Sequence, residues 1–354
     1  MNLVQRYFYT IFFAVTFVSC KKNDDIITPE PQAVSLEVPV NFPPIISDPN
    51  NPLTKDGIEL GRLLFYDKRL SGNNQISCAS CHKQDLAFSD GVALNNIGFS
   101  GNILHRNSPA LINMAWANNG LFWDGGSTNL ESQALGPITS NDEMHQELYQ
   151  LVNELKAVND YVNRFKLVFK SDISDATIIK ALAQFQRTFI SGNSRYDKYK
   201  RNETGGNLTN AELQGLTLVQ QKCQSCHKGE LFTDNDYHNN GLDNDFTNTA
   251  FEGIFQGRYR VTFNPSDLGK FKTPTLRNIM LTAPYMHDGR FNNIQQVLDH
   301  YSNGIKASTT LDPVLYTSAS PSLALSSTDK QNIIAFLNTL TDSSFINSKA
   351  LSKP

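Results

Sequence analysis

CASCH at residues 78–82 and CQSCH at residues 223–227 repeat one pattern, in which two cysteines separated by two residues are followed directly by a histidine. Two thiols at this spacing can reach both vinyl groups of one porphyrin, and the adjacent imidazole then lies under the iron as an axial ligand. Each stretch therefore predicts one covalently attached c-type haem. The residues predicted to hold the two haems are Cys78, Cys81, His82, Cys223, Cys226 and His227.

Zinc binding and thiol redox chemistry are the alternative uses of such a cysteine pair. A zinc site would need a second ligand pair nearby to complete four ligands, but the two stretches lie far apart in the chain. A redox pair would not need a histidine after it on both occasions. The chain has five cysteines, and only Cys20 lies outside these two stretches, which favours two haems over a disulfide framework.

The first twenty residues, MNLVQRYFYTIFFAVTFVSC, form a separate segment. They combine Arg6, an apolar run over residues 8–18 and Cys20, a pattern typical of an export signal. The run is too short for a transmembrane helix, which needs about 20 residues. FVSC resembles a bacterial lipobox, so residues 1–20 are predicted to be a lipoprotein signal peptide with lipid on Cys20, and residues 21–45 a flexible tether. The predicted location is the periplasm or cell envelope, anchored to a bacterial membrane; a secreted protein with an incidental Cys20 is the alternative.

The charge balance narrows the class of partner. The 354 residues include 31 basic and 34 acidic side chains, which gives a net charge of −3. No long run of like charge occurs, so nucleic acid is not expected as a partner.

Each haem stretch follows an amphipathic helical pattern, a weak internal duplication. The apolar positions on these two predicted helices are Leu60, Leu63, Leu64 and Leu213, Leu216, Val219. The segment SRYDKYKRNETGGNLT, rich in glycine, asparagine and charge, separates the two units. We predict a mainly α fold with few short strands, made of two cytochrome c-like haem domains at residues 46–204 and 205–345.

After residue 50 the sequence resembles the bacterial di-haem cytochrome c peroxidase and MauG family. The resemblance rests on ordered motifs: LGRLLFYDKRLSGNNQISCASCH, HRNSPALIN, FWDGGSTNLESQALGPI, the second CxxCH and FKTPTLRNIMLTAPYMHDG. It implies that the N-terminal haem activates hydrogen peroxide. The C-terminal haem then either relays electrons from a donor protein, such as a small cytochrome c or a cupredoxin, or shares oxidising equivalents that modify a protein substrate. Homodimers are frequent in the family, so a homodimer is a further expectation.

Four residues match the family around the peroxidatic haem. Trp123 corresponds to the tryptophan that couples the two haems, although an ordinary buried aromatic is the alternative. Gln133, Pro137 and Glu143 follow at the family's spacing and are implied to line the open face of this haem. Glu143 would take a proton from peroxide and return it to the leaving oxygen. From the residues alone, Ser140 to Glu143 also form a capping box before a helix that begins MHQELYQ.

The resemblance also implies a calcium ion, bound by Asn107 and by the backbone of Thr282 and Pro284, since hard oxygen ligands suit calcium. Arg106 and Arg277 are predicted partners of haem propionates because a guanidinium matches a carboxylate. Surface salt bridges are the alternative for both arginines.

The chain departs from the family at Phe99 and Gly126, and it leaves open whether His105 caps the peroxidatic iron. Phe99 stands near the place of a loop histidine that caps the peroxidatic iron in some members, and phenylalanine cannot ligate iron. We therefore expect a resting haem that is five-coordinate or water-bound and needs no reductive activation. His105 is the alternative cap, or a solvent-facing loop residue. Gly126 stands where the family usually has arginine.

The sixth ligand of the second haem is predicted to be Tyr301. Ile294, Val297, Leu298 and Tyr301 form one apolar helical stripe, with Asn292 or Asn293 as cap, Gly304 as end and His300 off the stripe. A buried tyrosine on such a stripe is usually a core residue. Classical peroxidases of the family have methionine at the position of Tyr301, and the MauG branch has tyrosine; Met286 is the rival ligand. A phenolate stabilises ferric and higher states, which favours storing an oxidising equivalent over relaying single electrons.

Two other classes of function stay open from the sequence. A non-enzymatic di-haem electron carrier would have two six-coordinate irons and no use for Glu143. A haem-based sensor of a small ligand would need a signalling surface.

Overall fold

The structure, a computed structural model, describes residues 30–45, 47–92, 98–316 and 320–354. The predicted signal peptide and its Cys20 lie outside these ranges. Within them, no helix combines the length and apolar character needed to cross a membrane.

The described chain is mainly helical, which confirms the predicted fold class. The α-helices in chain order are α1 (Lys55–Tyr66), α2 (Cys78–Cys81), α3 (Leu130–Thr139), α4 (Leu148–Lys156), α5 (Asn159–Phe169), α6 (Asp175–Gln186), α7 (Arg195–Lys200), α8 (Asn210–Lys222), α9 (Ala250–Gly253), α10 (Tyr259–Thr262), α11 (Ile294–Asp299), α12 (Ser327–Asn338) and α13 (Ser343–Ile346). Two short strands, β1 (Tyr237–His238) and β2 (Phe271–Lys272), pair antiparallel, with Tyr237 opposite Lys272.

Each haem stretch follows a helix that packs closely on a later helix through a glycine. In the N-terminal unit α1 packs on α6, and a Cβ on Gly61 would collide with the backbone oxygen of Ala181. In the C-terminal unit α8 packs on α12, and a Cβ on Gly215 would collide with the backbone oxygen of Asn332. Larger residues at these two positions would force the helices apart. The repeated arrangement gives a physical form to the duplication seen in the sequence.

Two hydrophobic cores lie against these helix pairs. Phe65 in the first makes an edge contact with Phe189 at a centroid distance of 5.6 Å, and Phe336 in the second makes one with Tyr196 at 5.4 Å. Tyr196, which precedes residue 204, thus belongs to the second core, whereas Phe345 from the end of the chain belongs to the first. Each core thus includes a residue from the other side of residue 204. The division at residue 204 stays a prediction.

The part of the predicted tether that the structure describes, residues 30–45, lies against the body of the protein. Phe42 contacts the Trp116 ring edge-on at a centroid distance of 5.3 Å, and the indole nitrogen of Trp116 donates to the backbone oxygen of Pro43 at 2.9 Å. These contacts bury Phe42, which a free tether would leave in water. For this part of the chain the prediction of a flexible tether is wrong.

A fully buried ion pair ties α7 to the segment after β2. Both terminal nitrogens of Arg277 bond the carboxylate of Asp197, at 2.8 and 2.9 Å, and its Nε donates to the backbone oxygen of Glu230 at 2.7 Å. Both side chains are 0% exposed. The guanidinium therefore binds a protein carboxylate, and the alternative of a surface salt bridge is wrong. Arg277 also lines the cavity described below, so its contact with a propionate stays a prediction.

We expect Arg277→Met to lower the free energy of unfolding by about 3–5 kcal/mol, because it leaves Asp197 buried without its partner. Denaturant titration of the haem-loaded protein measures this effect. Arg164→Met is the matched control, since the exposed Arg164–Asp160 pair on α5 is worth only about 0.3–0.5 kcal/mol. Equal effects of the two substitutions would contradict the prediction.

The same pair gives a pH dependence of known sign. Burial acts to raise the pKa of Asp197, but the bonds and charge of Arg277 and the bonds from Ser194 hold that pKa below its ordinary value. A carboxyl whose pKa is lowered on folding stabilises the protein above its unfolded pKa, and this contribution is lost as the pH falls. Arg277→Met should therefore weaken that acid dependence.

Candidate haem cavity and active site

One continuous cavity of about 980 Å³ is lined by both CxxCH stretches. It brings together nearly all of the residues that the sequence singled out. Besides the four cysteines and two histidines, its lining includes Trp123, Gln133, Pro137, Glu143, Arg106, Asn107, Thr282, Pro284, Met286, His105 and Tyr301. Most of the remaining lining is apolar, as a porphyrin requires.

The two histidines of the CxxCH stretches are held in the form that binds iron. His82 follows α2, and its Nδ1 lies 2.8 Å from the backbone oxygen of Phe88. Nδ1 of His227 lies 3.1 Å from the backbone oxygen of Pro274 and 3.2 Å from that of Phe232. A carbonyl oxygen only accepts, so Nδ1 carries the proton in each ring and Nε2 keeps its lone pair. Burial lowers the pKa of both histidines, which favours the neutral ligand form.

Arg106 provides a second test of whether the cavity fits a haem. Its terminal nitrogens donate to the carboxylate of Asp124 at 2.8 Å and to the backbone oxygen of Ile254 at 2.9 Å. Its Nε is buried and has no hydrogen-bond partner among the described residues. A buried donor without a partner is costly, and a propionate of a bound haem would satisfy it. The donor set and the apolar lining therefore fit the group that the sequence predicts.

Gln133 and Pro137 reach the cavity from one face of α3, because they are four residues apart on the helix. Asn129 caps this helix by accepting from the backbone nitrogen of Ser132 at 2.8 Å. After α3 the chain folds back, and the backbone nitrogen of Met144 donates to the oxygen of Pro137 at 3.1 Å. This turn holds residues 141–144 against α3.

Glu143 lies in that turn and reaches the same cavity. Its backbone oxygen accepts from the nitrogen of Phe99 at 2.7 Å. Burial, and then the neighbouring charge of Asp142, raise the pKa of Glu143. The alternative of a capping box is wrong, because Ser140 ends α3 and the next helix, α4, begins only at Leu148. A half-buried carboxyl with a raised pKa is suited to take up and release a proton.

Phe99 and His105, the two loop residues considered for the position of a histidine that caps the peroxidatic iron, lie in different places. Phe99 packs on His145 at a ring-centroid distance of 4.6 Å. His105 lines the cavity and lies against Phe251, with the two tilted rings 3.8 Å apart between centroids. His105 therefore belongs to the wall of the cavity, and the expectation that the first haem lacks a loop ligand stays a prediction.

Trp123 is fixed at the junction of the two units. Its indole nitrogen donates to the backbone oxygen of Asn107 at 2.7 Å, and its own backbone oxygen accepts from the nitrogen of Lys272 in β2 at 2.7 Å. Asn107 in turn donates from its side chain to the backbone oxygen of Pro284 at 2.7 Å. Two of the predicted calcium ligands thus meet beside Trp123, and Thr282 lines the same cavity.

Asp124, which the sequence analysis missed, organises the arginines next to Trp123. This carboxylate is 1% exposed and binds Arg106 at 2.8 Å and Arg260 at 2.9 Å. Burial would raise the pKa of Asp124, but the two guanidinium groups lower it. Gly126 lies two residues further, where a Cβ would be 3.2 Å from the carboxylate. Gly126, where the family usually has arginine, thus lies next to the Asp124 carboxylate, which already binds two arginines.

Tyr301 enters the cavity from a π-helical turn, His300–Gly304, that follows α11. Asn293 caps α11 as predicted, accepting from the nitrogen of Gln296 at 3.0 Å. His300 in the same turn is also buried, at 6% exposure. Burial raises the pKa of Tyr301 to about 12.

Met286, the rival ligand, approaches the same point. Its sulfur lies 3.4 Å from Nδ2 of Asn240, and the hydroxyl of Tyr301 lies 3.5 Å from the same nitrogen. Met286 has a φ of +74°, which a methionine rarely adopts. Asn240, which the sequence analysis also missed, had no local signal in the sequence.

Comparisons with known proteins agree on one family. A family model described as di-haem cytochrome c peroxidase matches residues 55–205. A methylamine utilization protein MauG from Methylorubrum extorquens is 35% identical over 294 residues, which cover 82% of this chain and 79% of that protein. The cytochrome-c peroxidase IdrP1 of a Pseudomonas species is 33% identical, covering 85% of this chain and 84% of that protein.

Solved structures give the same result. A crystal structure of a MauG-like protein associated with microbial copper homeostasis superposes with a TM-score of 0.82 at 35% identity, covering 91% of this chain and 99% of that one. The di-haem peroxidase BthA from Burkholderia thailandensis superposes with a TM-score of 0.70 at 22% identity, covering 92% and 94%, which supports the fold alone.

Proposed function

The chain belongs to the di-haem cytochrome c peroxidase family, and from this premise we propose that it activates hydrogen peroxide at the haem held by Cys78, Cys81 and His82. The observation that carries this proposal is Glu143, a half-buried carboxyl of raised pKa that lines the same cavity as His82. An electron carrier would have no use for such a group at one of its irons. The bound haem supplies the iron that takes up peroxide and the electrons for O–O cleavage.

The residues on the open face move and hold protons. Glu143 in its ionised form would take one proton from hydrogen peroxide and return it to the leaving oxygen, which would depart as water. The amide of Gln133 donates to the bound peroxide and orients it. Pro137, one turn further on α3, offers no N–H and shapes the pocket as an apolar wall.

The second haem, on Cys223, Cys226 and His227, is proposed to share the oxidation, with Trp123 coupling the two groups. Support comes from the cavity that both haem stretches line and from the two backbone bonds that fix Trp123 in its wall. Tyr301 is the proposed sixth ligand on that side. A phenolate would stabilise the oxidised iron and favour storing the oxidising equivalent.

The reductant is proposed to be an external donor, such as a small cytochrome c or a cupredoxin. A relative named cytochrome c551 peroxidase, from Nitrosomonas europaea, is 35% identical over 70% of this chain and supports this choice. The second candidate is oxidation of a protein substrate, which the 35% identity to proteins named MauG and MauG-like favours.

A turnover assay tests the proposal and separates its branches. The purified di-haem protein is mixed with hydrogen peroxide and reduced cytochrome c or a reduced cupredoxin. We expect catalytic oxidation of one donor, with one peroxide consumed for two electrons. Peroxide consumption without donor oxidation, accompanied by oxidised residues in a co-expressed protein, would support the second candidate. Absence of peroxide consumption would leave the electron carrier as the better interpretation.

Calcium and the envelope location complete the proposal. Asn107, Thr282 and Pro284 are proposed to bind one Ca²⁺ beside Trp123, supported by their common place in the lining of the cavity. Elemental analysis that finds no calcium in the purified protein would remove this part. Export and lipid attachment at Cys20 are proposed from the sequence, and mass spectrometry of the mature N-terminus tests them.

A further inference from the structure

Asn240 is held on three sides in the wall of the cavity, two residues after β1. Its backbone oxygen accepts from Nε2 of His300 at 3.1 Å, and its side-chain oxygen accepts from the backbone nitrogen of Leu242 at 3.3 Å. The side-chain nitrogen faces the hydroxyl of Tyr301 at 3.5 Å and the sulfur of Met286 at 3.4 Å.

The hydrogen bonds fix the orientation of this amide. A backbone N–H can only donate, so the atom facing Leu242 is the side-chain oxygen. The NH₂ group therefore points at Tyr301 and Met286. A backbone carbonyl can only accept, so Nε2 of His300 carries a proton. His300 and Tyr301 are neighbours in the π turn. His300 bonds the backbone oxygen of Asn240, and Tyr301 contacts its side-chain nitrogen.

The two groups that the NH₂ faces differ in what they gain from it. A phenol or phenolate oxygen is a good acceptor, and a bond to the anion is charge-assisted. A thioether sulfur is a weak acceptor. The same donor therefore stabilises an iron-facing tyrosine oxygen more than an iron-facing methionine sulfur.

We propose that Asn240 is a positioning residue that directs the oxygen of Tyr301, in preference to the sulfur of Met286, towards the second haem and withdraws electron density from that oxygen. The inference rests on the proposed function, in which Tyr301 is the sixth ligand. Asn240 would set how strongly Tyr301 favours oxidised iron. It would thereby set how long the second haem holds an oxidising equivalent.

A double-mutant cycle tests the inference in the di-haem protein by redox titration of the second haem. The variants are Asn240→Leu, Tyr301→Phe and the two combined. We expect Asn240→Leu to lower the reduction potential, because an oxygen without its donor gives more electron density to ferric iron. In the Tyr301→Phe background the same substitution should leave the potential unchanged. An equal shift in both backgrounds would show a general change in polarity and overturn the proposal, as would no shift in either.

Two further variants keep the test decisive. Asn240→Ala removes the donor without adding a charge, so it replaces Asn240→Leu in the cycle if that variant does not fold. Asn235→Leu is the matched control, since Asn235 is a half-buried cavity residue whose amide donates to the backbone of Trp116 at 3.3 Å, and we expect no shift.

The outcomes separate this inference from the function it rests on. If Tyr301→Phe keeps the wild-type low-spin spectrum, the proposed ligand is wrong and the role of Asn240 is overturned with it. If Tyr301→Phe loses that spectrum while Asn240→Leu and Asn240→Ala leave the potential unchanged, only the role of Asn240 is overturned.

Discussion

Glu143→Gln is expected to slow peroxide consumption by about 10²–10⁴-fold, the usual contribution of a positioned acid–base group. Glutamine retains the size of the side chain but cannot take the proton from peroxide. Stopped-flow mixing of the di-haem protein with hydrogen peroxide measures the rate. Glu147→Gln is the matched control, because Glu147 is an exposed carboxylate at the start of α4, and we expect its rate to stay within about twofold of wild type.

The pH dependence gives this prediction a second readout. Burial and Asp142 raise the pKa of Glu143, and its ionised form is the base, so the wild-type rate should rise as the pH increases through that raised pKa. The rate of Glu143→Gln should show no such rise. A substitution that leaves the rate within twofold of wild type would exclude Glu143 as the acid–base group.

The stability of Glu143→Gln shows whether a slow rate could result from unfolding of the variant. A carboxyl whose folded pKa is raised contributes stability below its unfolded pKa, and this contribution is lost as the pH rises through the folded pKa. Above the folded pKa the ionised form of Glu143 therefore costs stability. The glutamine variant should be at least as stable as wild type, so a slow rate would not reflect unfolding.

Tyr301→Phe is expected to abolish the low-spin ferric signal of the second haem, because phenylalanine fills the same space without a ligand atom. Electron paramagnetic resonance of the ferric di-haem protein measures this, and Met286→Leu should leave the low-spin signal in place. Tyr285→Phe is the matched control: Tyr285 is buried in the same core and its hydroxyl donates to the backbone of Ile279 at 2.9 Å. We expect its spectrum to match wild type.

The opposite pattern would change the mechanism. If Met286→Leu loses the low-spin signal and Tyr301→Phe keeps it, the thioether holds the iron. A thioether stabilises ferrous iron, so the second haem would then be a relay for single electrons. The storage of an oxidising equivalent at this haem would be excluded.

Prediction from the sequence succeeded where the determining groups lie close together in the chain. The helical class followed from apolar spacing, and the pairing of α1 with α6 repeats in α8 with α12. The capping box before α4 failed because Ser140 was already the end of α3, so that tertiary packing overrode a local signal. The prediction of a flexible tether was wrong from residue 30 onward because Phe42 packs in a buried position against Trp116.

The sequence by itself predicted how haem would be attached, because two thiols and an imidazole within five residues have their mutual geometry set by the chain. Only the tertiary structure decided what surrounds that haem. It placed Glu143 in the cavity of His82, paired Arg277 with Asp197, left the Nε of Arg106 for another acceptor, and brought Asn240 to Tyr301. These contacts join segments that are distant in the chain, and their partners depend on how the helices pack, which local spacing does not specify.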